Sequence, residues 1–170
     1  MATLHYNISG ELSVELLAPG DRKNVTSVSF ANVNTFKHVF LDFFMKKAET
    51  GKFYLLKNLK IPAGASYVYD ADVNNRASQF GLYVKLKAAD QFVLTGSIDP
   101  INNTNVPGVN TLFTKELTVG DSIIVTAHQR IIESITSDTV ATVTSAWGSD
   151  LINDASPDCI PTALVDVTIS

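Results

Sequence analysis

The stretch Leu59–Asp70, LKIPAGASYVYD, enters on alternating apolar residues, turns at Pro-Ala-Gly and leaves on two tyrosines one residue apart. Period-two alternation on both sides of a Gly/Pro turn is the pattern of strands, not helices. The same grammar recurs in LTVGDSIIVTAHQRIIESITSD (Leu117–Asp138), where a Gly-Asp turn feeds another alternating run. An all-β chain is the expectation that follows.

The neighbouring segments extend it. Val25–Asn32 reads as a strand with Val28 and Phe30 on one face. HVFLDFFMKKAETGKFYLLKNLKIP reads as a hairpin that sets Val39, Leu41, Phe43 and Met45 against Phe53, Leu55 and Leu59, turning at Glu49–Gly51. Phe40 and Phe44 leave a helix open for its first arm. GLYVKLKA and QFVLTGSID add two strands, with Leu82, Val84 and Leu86 alternating against Tyr83, Lys85 and Lys87. Half-buried strands joined by short turns make an antiparallel β-sandwich, expected over residues 1–100.

SIDPINNTNVPGVNTLF is poor in charge and rich in Asn, Pro and Gly, so a linker is expected over 101–108. Beyond it, Ile123, Val125, Ile131 or Ile132, Ile135, Val140, Thr142 and Ala146 fall in short strands parted by His128-Gln-Arg130 and Ser137-Asp138. A small five-stranded β-barrel is expected over 109–170, marginal alone at that size. The final strand, Ala163–Ile169, completes this barrel or a neighbour's sheet.

The 170 residues, 45% of them apolar and 18% charged, suit a folded soluble protein able to bury a core. The opening MATLHYNISGELSV has no basic flank with a long apolar run, so neither a signal peptide nor a membrane span is expected. One cysteine, Cys159, excludes an intrachain disulfide and a multi-cysteine zinc site; it reads as an incidental, half-buried thiol in preference to a nucleophile. The net charge of −4 argues against nucleic acid as partner. It conceals an asymmetry: 11 Lys/Arg against 9 Asp/Glu up to Asp99, then 2 against 8. Halves of opposite charge balance could dock head to tail on neighbours, although unrelated solvated surfaces are the simpler reading.

Catalytic constellations are missing from the sequence. His5, His38 and His128 have no partner at metal-ligand spacing, and neither an HExxH nor a P-loop is present. Asp70-Ala-Asp72-Val-Asn74-Asn-Arg76 opens like a calcium loop, but Asn75 stands where glycine makes the turn and Gly81 where a bidentate Glu closes the site. A polar loop that caps its own backbone is the simpler reading. No catalytic residue, metal or cofactor is expected. Tyr67 and Tyr69 share a face by period two, and Tyr54 precedes them. Exposed and flanked by Lys52, Lys57, Lys60, Lys85 and Lys87 they would form a stacking platform; otherwise one row is core and the lysines cover the solvent face and blunt sheet edges. Trp147 is either the plug of the second domain or, exposed, an interface anchor.

These residues carry a resemblance. VTSVSFANVNTF, GKFYLLKNLKIPAGASYVYD and FGLYVKLKAADQFVLTGSID together resemble the β-sandwich of small structural proteins of tailed bacteriophages, contractile-tailed ones in particular. Gly108, Thr111, Phe113, Glu116, Leu117, Val119, Gly120, Asp121, Ile123, Arg130, Ser137, Asp138, Thr139 and Trp147 stand where the small barrel of phage virion proteins, similar to the Src-homology-3 type, has its turn and core positions. VTAHQR departs from that pattern, which usually has a tighter Gly-containing turn.

The resemblance implies a non-enzymatic virion structural protein, assembled in the bacterial host cytoplasm, that decorates or staples repeated subunits of the head or neck. Its partners would be other virion structural proteins and further copies of itself, as a homo-oligomer or lattice-bound, with no nucleic acid and no membrane. The alternative is a tail- or baseplate-associated or peripheral module that binds a receptor or glycan. Candidate interface residues are Tyr54, Tyr67, Tyr69, Trp147, Val165, Val167 and Ile169.

Overall fold

The computed structural model describes residues 3–21, 24–47, 51–74, 79–149, 151 and 156–170, with backbone alone over 71–74. In chain order the elements are β1 (Leu4–Ser9), β2 (Ser13–Leu17), β3 (Asn24–Asn32), β4 (Val39–Lys47), β5 (Lys52–Ile61), β6 (Ser66–Asn74), β7 (Phe80–Lys87), β8 (Phe92–Val93), β9 (Ser97–Ile98), β10 (Asn105–Val109), α1 (Phe113–Glu116), β11 (Ser122–Val125), β12 (His128–Ser137), β13 (Val140–Val143), β14 (Asp158–Ile160) and β15 (Leu164–Ile169). The fold is all-β, and every ladder is antiparallel.

Two compact units result, residues 1–88 with 163–170, and residues 89–162. This differs from the expected 1–100, 101–108 and 109–170: the second unit is inserted into the first, and the chain returns to finish the sheet it began.

The first unit is a sandwich of two four-stranded sheets, β1-β15-β3-β6 and β2-β7-β4-β5. Their inner faces share one core: Val28, Phe30, Val165, Val167 and Ile169 from the first sheet, Leu41, Phe43, Leu82, Val84 and Leu86 from the second. Phe30 and Phe43 meet edge to face across the sheets at 5.2 Å. The first arm of the hairpin is strand, because alternation at Val39, Leu41 and Phe43 fills this core. Its expected turn residues Glu49 and Thr50 lie outside the described residues.

The Pro-Ala-Gly turn after Leu59 closes on a buried amide. Asn32 Nδ2 donates to the carbonyls of Lys37, Ile61 and Pro62 at 2.9, 3.1 and 3.0 Å. Its Oδ1 accepts the Asn34 N–H, and the Asn34 Oδ1 accepts those of Phe36 and Lys37, each at 3.0 Å. The end of β3, the entry to β4 and the β5–β6 turn are thereby tied together through buried backbone groups.

In the second unit seven strands follow the order β8-β14-β11-β12-β13-β10-β9. The expected five-stranded barrel is corrected: among the described residues no ladder joins the end strands β8 and β9, so the sheet is not a closed barrel. QFVLTGSID, expected as one strand of the sandwich, is split here into β8 and β9 at Gly96, whose φ is +80°. The residues expected as linker run into β10. The core gathers Ile98, Val106, Phe113, Ile123, Val125, Ile132, Trp147 and Cys159.

The motif residues of this unit serve turns. Asp121 is fully buried; its Oδ2 accepts the Thr118 N–H and its Oδ1 the Thr162 N–H, each at 2.8 Å. A Cβ on Gly108 would stand 2.2 Å from Thr111 Oγ1 and 2.9 Å from Phe113 Cζ, so only glycine fits that approach.

Candidate interaction surface

Alternation along β4 sends Leu41 and Phe43 into the core and Phe40, Asp42 and Phe44 to the outer face of the second sheet. Register then sets Phe44 between Tyr83 of β7 and Tyr54 of β5. The Phe44 and Tyr83 rings stack at 5.8 Å and 13°, and Tyr54 tilts against Phe44 at 5.6 Å. Phe40 lies opposite Lys60 and Lys87, with the His38 ring edge-on at 5.1 Å.

Lysines roof these rings. Lys52 Nζ stands 4.5 Å from the Phe44 centroid, Lys57 5.0 Å from Tyr54, and Lys60 and Lys87 6.0 and 5.7 Å from Phe40. Each contact contributes about 0.5–1 kcal/mol at an exposed site and holds an ammonium close to the sheet. Phe44, although on the outer face, is only 1% exposed beneath this cover. Strands β4, β5 and β7 carry seven of the chain's thirteen Lys/Arg against one carboxylate, Asp42.

A bulge shapes the centre of the face. Leu41 pairs with Leu59 and Phe43 with Leu56, so Lys57 and Asn58 together oppose Asp42. Asn58 adopts φ 51°, and its N–H donates to Asp42 Oδ1 at 2.7 Å. A shallow cavity of about 230 Å³ opens there, lined by Glu11, Phe40, Asp42, Asn58, Lys85 and Lys87 among others. Its neighbouring carboxylates are engaged: Glu11 accepts the Ala88 N–H at 2.8 Å, and Glu15 accepts the Tyr83 hydroxyl. That hydrogen bond raises the Tyr83 pKa above the usual phenol value, with burial adding to it. Chemically the face offers ammonium groups above an apolar floor; the ring faces themselves are occupied.

The candidate residues distribute unevenly. Tyr54 is on this face, 41% exposed, with Lys57 over its ring. Tyr67 and Tyr69 do share a face, but it is the inner one of the other sheet, opposite Phe30 and Val28, where Tyr69 meets Phe43 at 5.5 Å. Tyr67 keeps 37% exposure at the rim. No common platform therefore unites the three tyrosines.

Val165, Val167 and Ile169 are corrected from interface to core: β15 pairs at home between β1 and β3, and all three are buried. Trp147 is likewise buried, with the Arg130 guanidinium 5.6 Å from its ring while Arg130 Nε donates to the Ala146 carbonyl at 3.0 Å. Cys159, expected half-buried, is fully enclosed, its thiol 3.8 Å from Asp121 Oδ2. Phe40, Phe44 and Tyr83 are the outer-face residues that sequence reading missed, Phe44 being buried beneath the lysines. Their signal was present as the outward phase of β4 and β7, which alternation toward the core already defined.

Among the described residues no three His, Cys, Asp or Glu side chains gather to hold a metal ion, and no helix is long and apolar enough to cross a membrane. Of the calcium-like segment, the side chains of Asp72 and Asn74 and all of Asn75 and Arg76 lie outside the described residues. His5 pairs with Thr168 Oγ1 at 3.1 Å, and His128 Nδ1 lies 3.0 Å from its own turn at the Thr126 carbonyl. No protein-family model, curated protein or solved structure matches this chain.

Proposed function

We propose that this chain is a non-enzymatic virion structural protein of a tailed bacteriophage, which decorates or staples repeated subunits of the head or neck. The observation that carries the reading is the outer face of β2-β7-β4-β5: broad, open and roofed by lysines. Extended faces of this kind suit contact with another protein surface, whereas small-molecule sites are concave and enclosing. The motif resemblance of the first unit to phage β-sandwich domains supports the same direction. Modest contacts repeated over a symmetric shell act together by avidity, so no single interface must be strong.

A glycan-binding module at the particle periphery would need open aromatic faces for sugar rings. On the outer face of β4, β5 and β7, Lys57 stands over Tyr54 and Lys52 over Phe44, which disfavours sugar stacking on those two rings. The test is quantitative mass spectrometry of purified particles. Copies in a fixed ratio to the shell subunit support decoration, a count matching one small ring supports the neck, and absence from particles overturns the proposal.

A further inference from the structure

The charge of the chain is divided between its units. Residues 1–88 with 163–170 carry 11 Lys/Arg and 8 Asp/Glu, a balance of +3; residues 89–162 carry 2 and 9, a balance of −7. On the first unit the positive charge is concentrated where Lys52, Lys57 and Lys85 stand exposed on the outer face of β5 and β7.

The second unit presents a face of matching character. Register across β8, β14, β11 and β12 sets Val93, Asp158, Ile124 and Gln129 side by side. Their chain neighbours Cys159, Ile123 and Val125 point into the core, so this row is the outer one. Val93 is 58% and Ile131 48% exposed, and Glu133 is exposed beyond them. Carboxylates among aliphatic side chains answer ammonium groups above aromatic rings: the charges pair at the surface while the apolar atoms of both faces leave water.

We propose that the lysine-roofed face of one copy binds the outer β8-β14-β11-β12 face of a second copy, head to tail. A nucleic acid is a poorer occupant, because bases would have to stack on rings the lysines already cover. The acidic unit of a second copy is also always present at equal concentration. Such a contact joins different surfaces, so it is heterologous and builds closed rings or open arrays of copies. This inference rests on charge and register alone and stands whether or not the chain belongs to a virion.

Sedimentation velocity over a protein concentration series tests it. Wild type is expected to self-associate at an ionic strength of about 0.05 M and to weaken by on the order of tenfold or more at about 0.5 M. K52E/K57E/K85E and E133K/D158K are each expected to remain monomeric alone. Mixed, the two reversed variants should associate through the wild-type acidic face of one and the wild-type basic face of the other, which a folding defect would not produce. A wild-type monomer at every concentration in low salt overturns the proposal. So does association that both variants retain, or a monomer that instead binds a duplex DNA oligonucleotide through the lysine face.

Discussion

The side-chain amide of Asn32 is 2% exposed and has two hydrogens for three carbonyl acceptors, one of them shared. Replacing it with alanine removes these bonds and the acceptor of the Asn34 N–H; the Pro62 carbonyl keeps the Ala65 N–H, and each other buried group that finds no new partner costs about 1–3 kcal/mol. Asn32→Ala is therefore expected to lower unfolding free energy by about 3 kcal/mol, read from the urea midpoint at unchanged m-value. Asp138 illustrates a pH effect. Thr114 donates to its carboxylate from Oγ1 and, at 3.1 Å, from N–H, and this holds the Asp138 pKa below the ordinary value. A depressed folded pKa gives stability that is present above the unfolded pKa and lost as pH falls through the folded one. The difference in thermal midpoint between wild type and Asp138→Asn should thus be largest near neutrality and shrink on acidification below the ordinary Asp pKa; a difference independent of pH would contradict this.

At the scale of elements, the β11–β12 hairpin turns on Thr126 and Ala127, both left-handed at φ 44° and 66°. Two-residue turns of this geometry favour Asn-Gly, since a Cβ in that region costs roughly 1 kcal/mol or more per residue. Thr126→Asn with Ala127→Gly is expected to stabilise the second unit by about 1–2 kcal/mol, measured by denaturant unfolding. Gly108→Ala should destabilise it by about 1–3 kcal/mol through the clash with Thr111 and Phe113. Strands were the legible part of this sequence, because alternation at Val28 and Phe30, or at Leu82, Val84 and Leu86, is itself the condition for filling a sandwich core. Their partners were not legible. Period two says that Val165, Val167 and Ile169 share a face but carries no information on which sheet receives them, and pairing across the whole chain length is a tertiary fact. For the same reason Tyr54 and Tyr69, similar in sequence context, ended on opposite sides of different sheets. Ring-and-lysine proximity across β4, β5 and β7 likewise depends on register and on the bulge at Asn58, neither of which composition encodes.

For the whole molecule, the inserted second unit makes the first depend on its last strand. Residues 163–170 supply a central strand and four core side chains, Ala163, Val165, Val167 and Ile169, with Ser170 bonded back to Thr26 and Ser27. Each fully buried aliphatic side chain contributes about 1.5–3 kcal/mol, comparable in sum to the whole stability of a typical domain. Deleting 163–170 should leave the first unit unfolded, seen as collapse of its amide dispersion in NMR spectra. The proposed function is tested most directly by co-sedimenting the purified chain with phage particles that lack it. Wild type is expected to bind saturably at a fixed ratio to the shell or neck subunit, with K52E/K57E/K85E binding on the order of tenfold more weakly through loss of the charged face. No binding, or equal binding by wild type and variant, would contradict the assignment of that face to virion assembly.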